Sequence, residues 1–408
     1  MTDFFDSLER RDADLRDTEM LAAVKGQIDH ARTATEYYQR VLTEQPIESW
    51  GDLSRLPVTR KSALMQRQHE LPPFGGMSAL ASSDVKYIFA SPGPIYEPAS
   101  YRADFFRFAR ALFAAGFRSG DLVHNTFSYH LTPAGHMVDT GCHALGCTVV
   151  AAGVGQTELQ VQTIANLKPA GYVGTPSFLK ILIDKADELN EDVSSLHKAL
   201  VSGEALPPST RQYLEEKNVR TRQCYATADL GLIAYETEPD QGLIIDEGVY
   251  VEIVKPGTGD PVSEGEVGEV LVTTLNPDYP LIRFATGDLS AFMDGQSACG
   301  RTNRRIKGWM GRADQTAKVR GLFIHPSQIA EIVKKHDGVL NARLVIEWVE
   351  QSDVMTLRCE TDAASADLVS AIEQSIRDIC KVRGGVELLR VGDLPKDGVV
   401  IEDARQYD

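Results

Sequence analysis

The fold class is decided by short apolar runs, CTVVAAG (147–153), GYVGTP (171–176) and KALVSG (198–203). Each run has the length and composition of a buried strand, and residues 159–167 repeat apolar side chains at helical spacing between the first two. An earlier run, VKYIFA (85–90), precedes a further predicted helix at 101–115. This alternation predicts an α/β fold in which helices cover a largely parallel sheet.

The regions before and after this alternation have different patterns. Residues 1–70 are predicted to be mainly helical, because apolar residues recur on one helical face over 7–44. Beyond Glu238, the runs VYVEIV and EVGEVLVTTL flank a turn at Gly257–Asp260, which predicts an antiparallel hairpin. The hairpin belongs to a predicted β-rich subdomain at about 243–300.

The last part of the chain is predicted to fold separately. Its order of strands and helices, βαββαβ, indicates a small ferredoxin-like α+β lid domain, with a helix that begins at Pro326. We therefore expect a large domain at 1–311 and a small domain at 312–408.

The composition excludes some classes of function. The chain has 408 residues, with 42 basic and 58 acidic side chains and a formal net charge of −16. A dedicated nucleic-acid binder or anionic-membrane binder would carry a basic excess. The sequence has no apolar run of membrane-spanning length and no secretion signal. Six unevenly spaced cysteines do not indicate a disulfide framework. We predict a cytoplasmic protein with free, mostly buried thiols.

Two segments are candidates for nucleotide contacts. The loop Ser91–Pro98 follows a predicted strand and contains Gly93, so its backbone N–H groups could face a phosphate. A rigid connector is the alternative, because prolines remove donors and Glu97 is negative. Asp288, which follows PLIRFATG, is placed to accept hydrogen bonds from a ribose diol, and a solvated turn aspartate is the alternative.

Several motifs together resemble the phenylacetate–coenzyme A ligase-like branch of the adenylate-forming superfamily, over nearly the whole chain. They are Leu53–Leu64, Ser202–Ala205, Cys224–Asp229, GEVGEVLVTTL (265–275), PLIRFATGDL (280–289), CGRTNRRIKGWMGRADQ (299–315) and VRGLFIHPSQIAEIV (319–333). The resemblance implies that a carboxylate attacks the α-phosphorus of ATP to form an acyl-adenylate, after which coenzyme A thiolate takes the acyl group. It also implies Mg²⁺ as a cofactor.

The resemblance assigns roles to individual residues. Asp288 would hold the ribose, Tyr225 would stack on adenine, and Asp229 would bind Mg²⁺. The remaining predicted nucleotide contacts are Ser91, Gly93, Gly203, Glu204, Ala205, Ala226 and Arg312. The catalytic candidates are Asp229, Thr227 and Arg312. Asp314 would be the hinge of the lid domain.

The predicted acyl pocket is the stretch that contains Phe127, Tyr129, His130 and Gly135, followed by His136. Its aromatic side chains favour an aryl or arylacetic acid as the substrate. Core packing is the alternative role of the aromatic rings, and the alternative for His130 and His136 is that they are ordinary core or surface histidines.

Three departures from the family pattern leave alternatives open. Glu97 stands where the family has a lysine. Ala228 lacks the hydroxyl that the family has at this position, and Thr227 would have to replace it. Val399 stands near the position of the expected catalytic lysine, and Lys396 comes too early in the chain to be that lysine. Losing one such donor typically costs about 10²–10³ in rate. The alternatives are a non-catalytic nucleotide- or acyl-binding homologue, and an adenylating enzyme whose acceptor is a carrier protein or an amine.

Two further expectations concern metal and assembly. Some relatives carry zinc at positions that match Thr237, Ile244, Ser297 and Cys299. Only Cys299 is of a residue type that usually binds zinc, so we expect no zinc here. Cys142, His143 and Cys147 are interpreted as packing residues. A homodimer is expected by analogy with the family.

Overall fold

The computed structural model describes residues 4–42, 45–91, 94–310, 312–313, 315, 317–320, 322–324, 326–395 and 399–406. The chain divides into two compact units, Met1–Met310 and Gly311–Asp408. Within the described residues, no helix has the length and hydropathy needed to span a bilayer.

The α-helices are α1 (Ala13–Ala34), α2 (Glu36–Val41), α3 (Trp50–Ser54), α4 (Leu64–Glu70), α5 (Phe108–Ala114), α6 (Ala134–Leu145), α7 (Thr157–Leu167), α8 (Pro176–Leu189), α9 (Pro208–Glu216), α10 (Pro326–Lys335) and α11 (Ala366–Cys380). Short 3₁₀ helices lie at Ser7–Arg10 and Lys61–Ala63.

The strands of the first unit are β1 (Thr59–Arg60), β2 (Tyr87–Ser91), β3 (Ile95–Ala99), β4 (Leu122–Asn125), β5 (Thr148–Ala151), β6 (Gly171–Gly174), β7 (Lys198–Val201), β8 (Arg220–Thr227), β9 (Gly231–Tyr235), β10 (Leu243–Ile245), β11 (Val249–Val254), β12 (Gly268–Thr274), β13 (Phe284–Ser290), β14 (Phe292–Met293) and β15 (Arg305–Ile306). Those of the second unit are β16 (Ala317–Val319), β17 (Leu322–Ile324), β18 (Asn341–Val349), β19 (Ser352–Glu360), β20 (Gly385–Leu389) and β21 (Ile401–Asp403).

The largest sheet formed by the described residues has the order β14-β15-β10-β9-β8-β7-β6-β4-β5. Strands β8, β7, β6, β4 and β5 run parallel, which confirms the parallel sheet predicted from the alternation. Space is tight where these strands end, because a Cβ at Gly174 of β6 would lie 2.0 Å from Oγ1 of Thr126, the residue after β4. Residues that follow the parallel strands therefore share one edge of the sheet, where ligands bind in open α/β sheets.

A second sheet has the order β1-β13-β12-β11. Strands β11 and β12 are antiparallel from Val249↔Thr274 to Val254↔Glu269, so the predicted hairpin is present. The short strand β1 is parallel to β13, with Thr59 opposite Phe284. This pairing brings the segment after Pro57 beside PLIRFATGDL.

Two local predictions differ from the structure. Within the part of the chain that the structure describes, VKYIFA does not join the parallel sheet. Strand β2 pairs instead with β3 in an antiparallel hairpin that runs from Tyr87↔Ala99 to Ser91↔Ile95. The helix predicted at 101–115 is shorter, because Asp104 and Arg107 adopt left-handed backbone conformations with φ of 46° and 66° before α5 begins. A non-glycine residue with positive φ cannot continue a right-handed helix.

The second unit has its own apolar core, which includes Ile329, Leu344, Leu357, Ile372 and Ile376. Its main sheet has the order β20-β19-β18-β21, and β16 and β17 form a separate hairpin. The strand before α10 therefore lies in that hairpin, whereas a ferredoxin-like arrangement would place it between β19 and β20. In the structure β20 pairs directly with β19, and β21 pairs with the outer side of β18. The α+β character of the unit agrees with the sequence prediction.

Candidate active site

Asp288 is held in place by two aromatic side chains. It lies on β13 and is 8% exposed. The Tyr225 hydroxyl donates to Asp288 Oδ2 at 2.8 Å, and Trp309 Nε1 donates to Oδ1 at 3.2 Å. Each carboxylate oxygen can accept a second hydrogen bond. The structure thus brings two predicted residues, Tyr225 and Asp288, into direct contact and fixes the orientation of the carboxylate.

The segment Gly203–Ala205 follows β7 at the C-terminal edge of the parallel sheet. Ser202 Oγ donates to the Cys224 carbonyl oxygen at 2.8 Å, which links this segment to β8 one residue before Tyr225. Glu204 is exposed, and its Oε1 accepts from the Ser177 backbone N–H at 2.7 Å in the first turn of α8. The predicted adenine-binding segment therefore follows β7 and is tied to the neighbouring strand β8, which carries Tyr225.

Asp229 lies in the turn between β8 and β9 and is 6% exposed. Its Oδ2 accepts from Lys61 Nζ at 2.5 Å. Thr227 shapes the same turn, since its hydroxyl accepts from the Leu230 backbone N–H at 3.2 Å. That hydrogen bond keeps Thr227 in a local role in the turn, while the lysine places a positive charge beside Asp229.

The predicted phosphate loop is the tip of the β2–β3 hairpin, and Gly93 lies outside the described residues. Glu97, on β3, is buried at 1% exposure, and the Ser91 hydroxyl donates to its Oε1 at 2.5 Å. Burial, and next the negative charge of Asp229, raises the pKa of the Glu97 carboxyl to about 8. Glu97 is thus buried within electrostatic range of Asp229.

Two buried carboxylate oxygens in this region have no hydrogen-bond partner among the described residues. They are Glu97 Oε2 and Asp229 Oδ1. Carboxylate oxygens are the ligands that Mg²⁺ prefers, and magnesium usually takes one or two of them together with phosphate oxygens and water. The open oxygen of Asp229 therefore fits the predicted role in holding Mg²⁺.

Aromatic side chains form a compact cluster beside this region. The His136 ring lies 4.8 Å from Tyr87, 5.3 Å from Phe89 and 5.3 Å from Tyr129, measured between ring centroids. A Cβ at Gly135 would lie 2.8 Å from the Tyr129 ring, so only glycine allows the ring to sit there. Tyr129 is fixed further by its hydroxyl, which donates to Asp139 Oδ1 at 2.8 Å.

The predicted acyl-pocket residues differ in their surroundings. Tyr129, Gly135 and His136 belong to the aromatic cluster, whereas His130 is exposed and its backbone N–H donates to Ser128 Oγ at 3.1 Å. Phe127 is half-buried against the core of the first unit. The cluster thus includes His136 and leaves out His130.

The positions that match a zinc site in some relatives form a hydrogen-bonded group. Ser297 Oγ and Cys299 Sγ are 3.0 Å apart, and Arg301 Nη1 donates to Sγ at 3.5 Å. Burial acts to raise the pKa of the Cys299 thiol, but hydrogen bonds from Ser297, Thr237 and Arg301 outweigh it and hold that pKa below its ordinary value. Among the residues that the structure describes, no three His, Cys, Asp or Glu side chains are grouped to hold a metal ion.

Two of the thiols interpreted as packing residues are buried. Cys142 is a buried residue of α6, and burial raises the pKa of its thiol. Burial likewise raises the pKa of Cys147 to about 11. Neither environment activates a thiol, since reactivity requires a lowered pKa.

The second unit contains the remaining predicted residues. Arg312 is half-buried, while Asp314 and Lys396 lie outside the described residues. The segment that follows Val399 is held to its own sheet, because the backbone N–H of Val400 donates to Gln315 Oε1 at 2.7 Å and β21 pairs with β18.

Sequence reasoning missed two residues of the site. Lys61 and Trp309 were both within motifs that carry the family resemblance, but neither had a predicted role. Trp309 lies 21 positions from its partner Asp288, and Lys61 lies 168 positions from Asp229. Their presence inside shared motifs was the signal that could have identified them.

Comparison with known proteins places the chain among ligases. A family model described as AMP-binding enzyme matches residues 108–276. The chain is 30% identical to a phenylacetate-coenzyme A ligase of Thermus thermophilus, over 88% of this chain and 89% of that protein. It is 29% identical to a phenylacetate-coenzyme A ligase of Escherichia coli, over 71% of this chain and 69% of that protein.

A solved structure is similar over almost the full length. It is a 2-hydroxyisobutyryl-CoA ligase crystallised with 2-HIB-AMP and CoA, with 25% identity and a TM-score of 0.83. The match covers 98% of this chain and 92% of that one.

Proposed function

Because this chain belongs to the phenylacetate–coenzyme A ligase-like branch of the adenylate-forming enzymes, we propose that it activates a carboxylic acid with ATP and transfers the acyl group to coenzyme A. In the first step, a carboxylate oxygen of the acid forms a bond to the α-phosphorus and pyrophosphate leaves. In the second step, the thiolate of coenzyme A attacks the acyl carbon and AMP leaves.

The Tyr225–Asp288 hydrogen bond is the observation that carries this proposal. It holds a buried carboxylate at a fixed orientation near the sheet edge where nucleotides bind in open α/β folds. Asp288 would accept the ribose hydroxyls, and Gly203–Ala205, the segment after β7 that is tied to β8, would line the base. Positioning of this kind is the main source of rate in phosphoryl-type chemistry.

The charged groups around Asp229 would serve the phosphates. Asp229 would hold Mg²⁺, which when bound would neutralise charge on the phosphate oxygens. Lys61, already beside Asp229, would supply a positive charge that Glu97 cannot. Arg312 would reach the ribose or the phosphates, and Asp314 would be the hinge. These roles are proposals.

We propose an aryl or arylacetic acid as the substrate. The cluster of Tyr87, Phe89, Tyr129 and His136 offers flat apolar surfaces, which suit an aromatic ring better than a flexible chain. The acceptor is proposed to be coenzyme A, and the carrier-protein and amine alternatives predict other products. The cytoplasmic location and the homodimer remain predictions.

Exchange of labelled pyrophosphate into ATP tests the first step. We expect exchange that depends on the acid in a panel of phenylacetate, benzoate and 2-hydroxyisobutyrate, with the aromatic acids preferred. Asp288→Ala should raise the KM for ATP about 10- to 100-fold, because charge-assisted hydrogen bonds to the ribose are lost. Asp294→Ala, at an exposed carboxylate, is the matched control. No exchange with any acid would refute the proposal.

Mass spectrometry of the products identifies the acceptor. With coenzyme A present, we expect an acyl thioester and AMP. An acid-dependent adenylate that accumulates unchanged in the presence of coenzyme A would instead favour a carrier protein or an amine.

A further inference from the structure

Three buried oxygen atoms next to the proposed phosphate region have no hydrogen-bond partner among the described residues. They belong to the carboxylates of Glu97 and Asp229 and to the hydroxyl of Tyr279, whose side chain is 2% exposed. A buried polar atom without a partner costs about 1–3 kcal/mol. Three such atoms in one region of a chain whose buried polar groups are otherwise mostly paired indicate a place that a ligand completes.

The three groups come from separate parts of the first unit and act on one another. Glu97 lies on β3, Asp229 lies between β8 and β9, and Tyr279 lies between β12 and β13. The charge of Asp229 acts on Glu97, and the charges of both act on the Tyr279 hydroxyl. The two carboxyl groups and the hydroxyl therefore lie within electrostatic range of one another.

The charges of this region are not balanced by its own side chains. Lys61 contacts Asp229 and also acts on Glu97, so one ammonium faces two carboxylates. When Glu97 is ionised, as metal binding requires, Lys61, Glu97 and Asp229 sum to −1. The raised pKa of Glu97 means that it keeps its proton near pH 7 until a cation displaces it. Adding a divalent cation changes this sum to +1.

We propose that Glu97 and Asp229 together bind one divalent cation, Mg²⁺ or Mn²⁺, before the nucleotide arrives. Glu97 Oε2 and Asp229 Oδ1 are the ligand atoms, while Ser91 and Lys61 hold the other oxygen of each carboxylate. Two carboxylates with the remaining positions left to water and phosphate match the way proteins bind Mg²⁺.

This arrangement gives Glu97 a role that its family position does not suggest. Where the family has a lysine, this chain has a second carboxylate, and the bound cation restores the positive charge that a phosphate needs. The role of the cation in catalysis rests on the proposed function, but its binding does not require a nucleotide.

Titration of the full-length protein with Mn²⁺ alone, followed by electron paramagnetic resonance of the free ion, tests the site. We expect about one Mn²⁺ per chain at concentrations up to about 1 mM. Glu97→Gln should weaken binding tenfold or more, and Asp229→Asn should abolish it. Glu269→Gln is the matched control, because Glu269 is equally buried but is paired with Arg60 and the Gly257 backbone N–H, and it should bind as the wild type does.

A second readout covers variants that fold poorly. Mg²⁺ without nucleotide should raise the melting temperature of the wild-type protein and of Glu269→Gln, but not that of Glu97→Gln. Absence of Mn²⁺ binding to the wild type, or equal binding by Glu97→Gln, would overturn the proposal. Metal binding without pyrophosphate exchange would instead refute the ligase function and leave the site standing. Pyrophosphate exchange in a protein that binds Mn²⁺ only together with ATP would refute the proposed metal site and leave the ligase function standing.

Discussion

Two buried glutamates in the first unit differ in the number of hydrogen-bond partners that their carboxylate oxygens have. Glu9, in the N-terminal segment, is 0% exposed, and Glu97 is 1% exposed. Each carboxylate oxygen of Glu9 accepts two hydrogen bonds. Oε1 accepts from Arg110 and Tyr235, and Oε2 accepts from Arg301 and from the Phe5 backbone N–H. Glu97 has one partner on one oxygen and, within the described residues, none on the other.

This difference separates a carboxylate that holds the fold from one that is available to a ligand. Burial of a charge requires compensation, and Glu9 receives it from two guanidinium groups of the protein itself. Glu97 faces Asp229, a like charge. The two glutamates are equally buried, so what distinguishes them is whether both carboxylate oxygens have hydrogen-bond partners. Glu9 has them and serves the fold, whereas Glu97 belongs to the candidate site.

The largest expected effect is on stability when Glu9 changes. Glu9→Gln should lower the free energy of unfolding by about 3–5 kcal/mol, because it leaves Arg110 and Arg301 buried with too little negative charge. Urea denaturation followed by circular dichroism measures the loss. Glu19→Gln, at an exposed carboxylate that pairs with Arg11, should change stability by about 0.5 kcal/mol or less. Equal losses in both variants would contradict the structural role of Glu9.

An intermediate effect concerns Asp104, a half-buried carboxylate that accepts from the backbone N–H groups of Phe108 and Ala109. Burial foremost, and the charge of Asp246, raise the pKa of Asp104 to about 6 from 3.8, although Arg107 opposes this. The folded state therefore holds this proton more tightly than the unfolded state. Its contribution to stability falls as the pH rises from about 4 to about 6 and stays constant above that.

Asp104→Asn should remove this part of the pH dependence. The difference in unfolding free energy between the variant and the wild type should change by about 2 kcal/mol across the window, less than the full shift implies because the side chain is only half-buried. Denaturation curves at several pH values would measure it. Parallel pH profiles for the two proteins would show that Asp104 does not titrate in this range.

The smallest effect is expected for the folding stability of Glu97→Gln in metal-free buffer. Because the raised pKa keeps Glu97 protonated near neutral pH, the amide replaces a neutral group, and the free energy of unfolding should stay within about 1 kcal/mol of the wild-type value or rise. The same denaturation experiment that is used for Glu9→Gln gives the number. A loss as large as that of Glu9→Gln would show that Glu97 is a structural residue and remove the contrast between the two clusters.

Much of the fold could be predicted from local patterns. The runs at 147–153, 171–176 and 198–203 became β5, β6 and β7 of one parallel sheet, and the hairpin around Gly257 formed as expected. VKYIFA was assigned to the same alternation, but its partner is the segment Ile95–Ala99. An apolar run predicts a strand, whereas the choice of its neighbour depends on which edge the folded chain can reach.

The candidate site was predicted in part. The family resemblance is confirmed by the comparisons, and Asp288, Tyr225 and Asp229 came from its motifs. The buried position of Glu97, the pairing of Lys61 with Asp229 and the contact of Trp309 with Asp288 were not predicted. These contacts join residues 21 to 168 positions apart, beyond the reach of any periodic pattern.

The amino-acid sequence by itself determined the alternation of strands and helices, the separate character of the last hundred or so residues and the family to which the chain belongs. These follow from side-chain periodicity and from short motifs, which act over a few residues. Only the tertiary structure decided that a glutamate in place of a lysine would be buried opposite Asp229 with one oxygen left open. Charge compensation is a property of three-dimensional neighbours, and those neighbours are brought together by sheet pairing and not by the chain order.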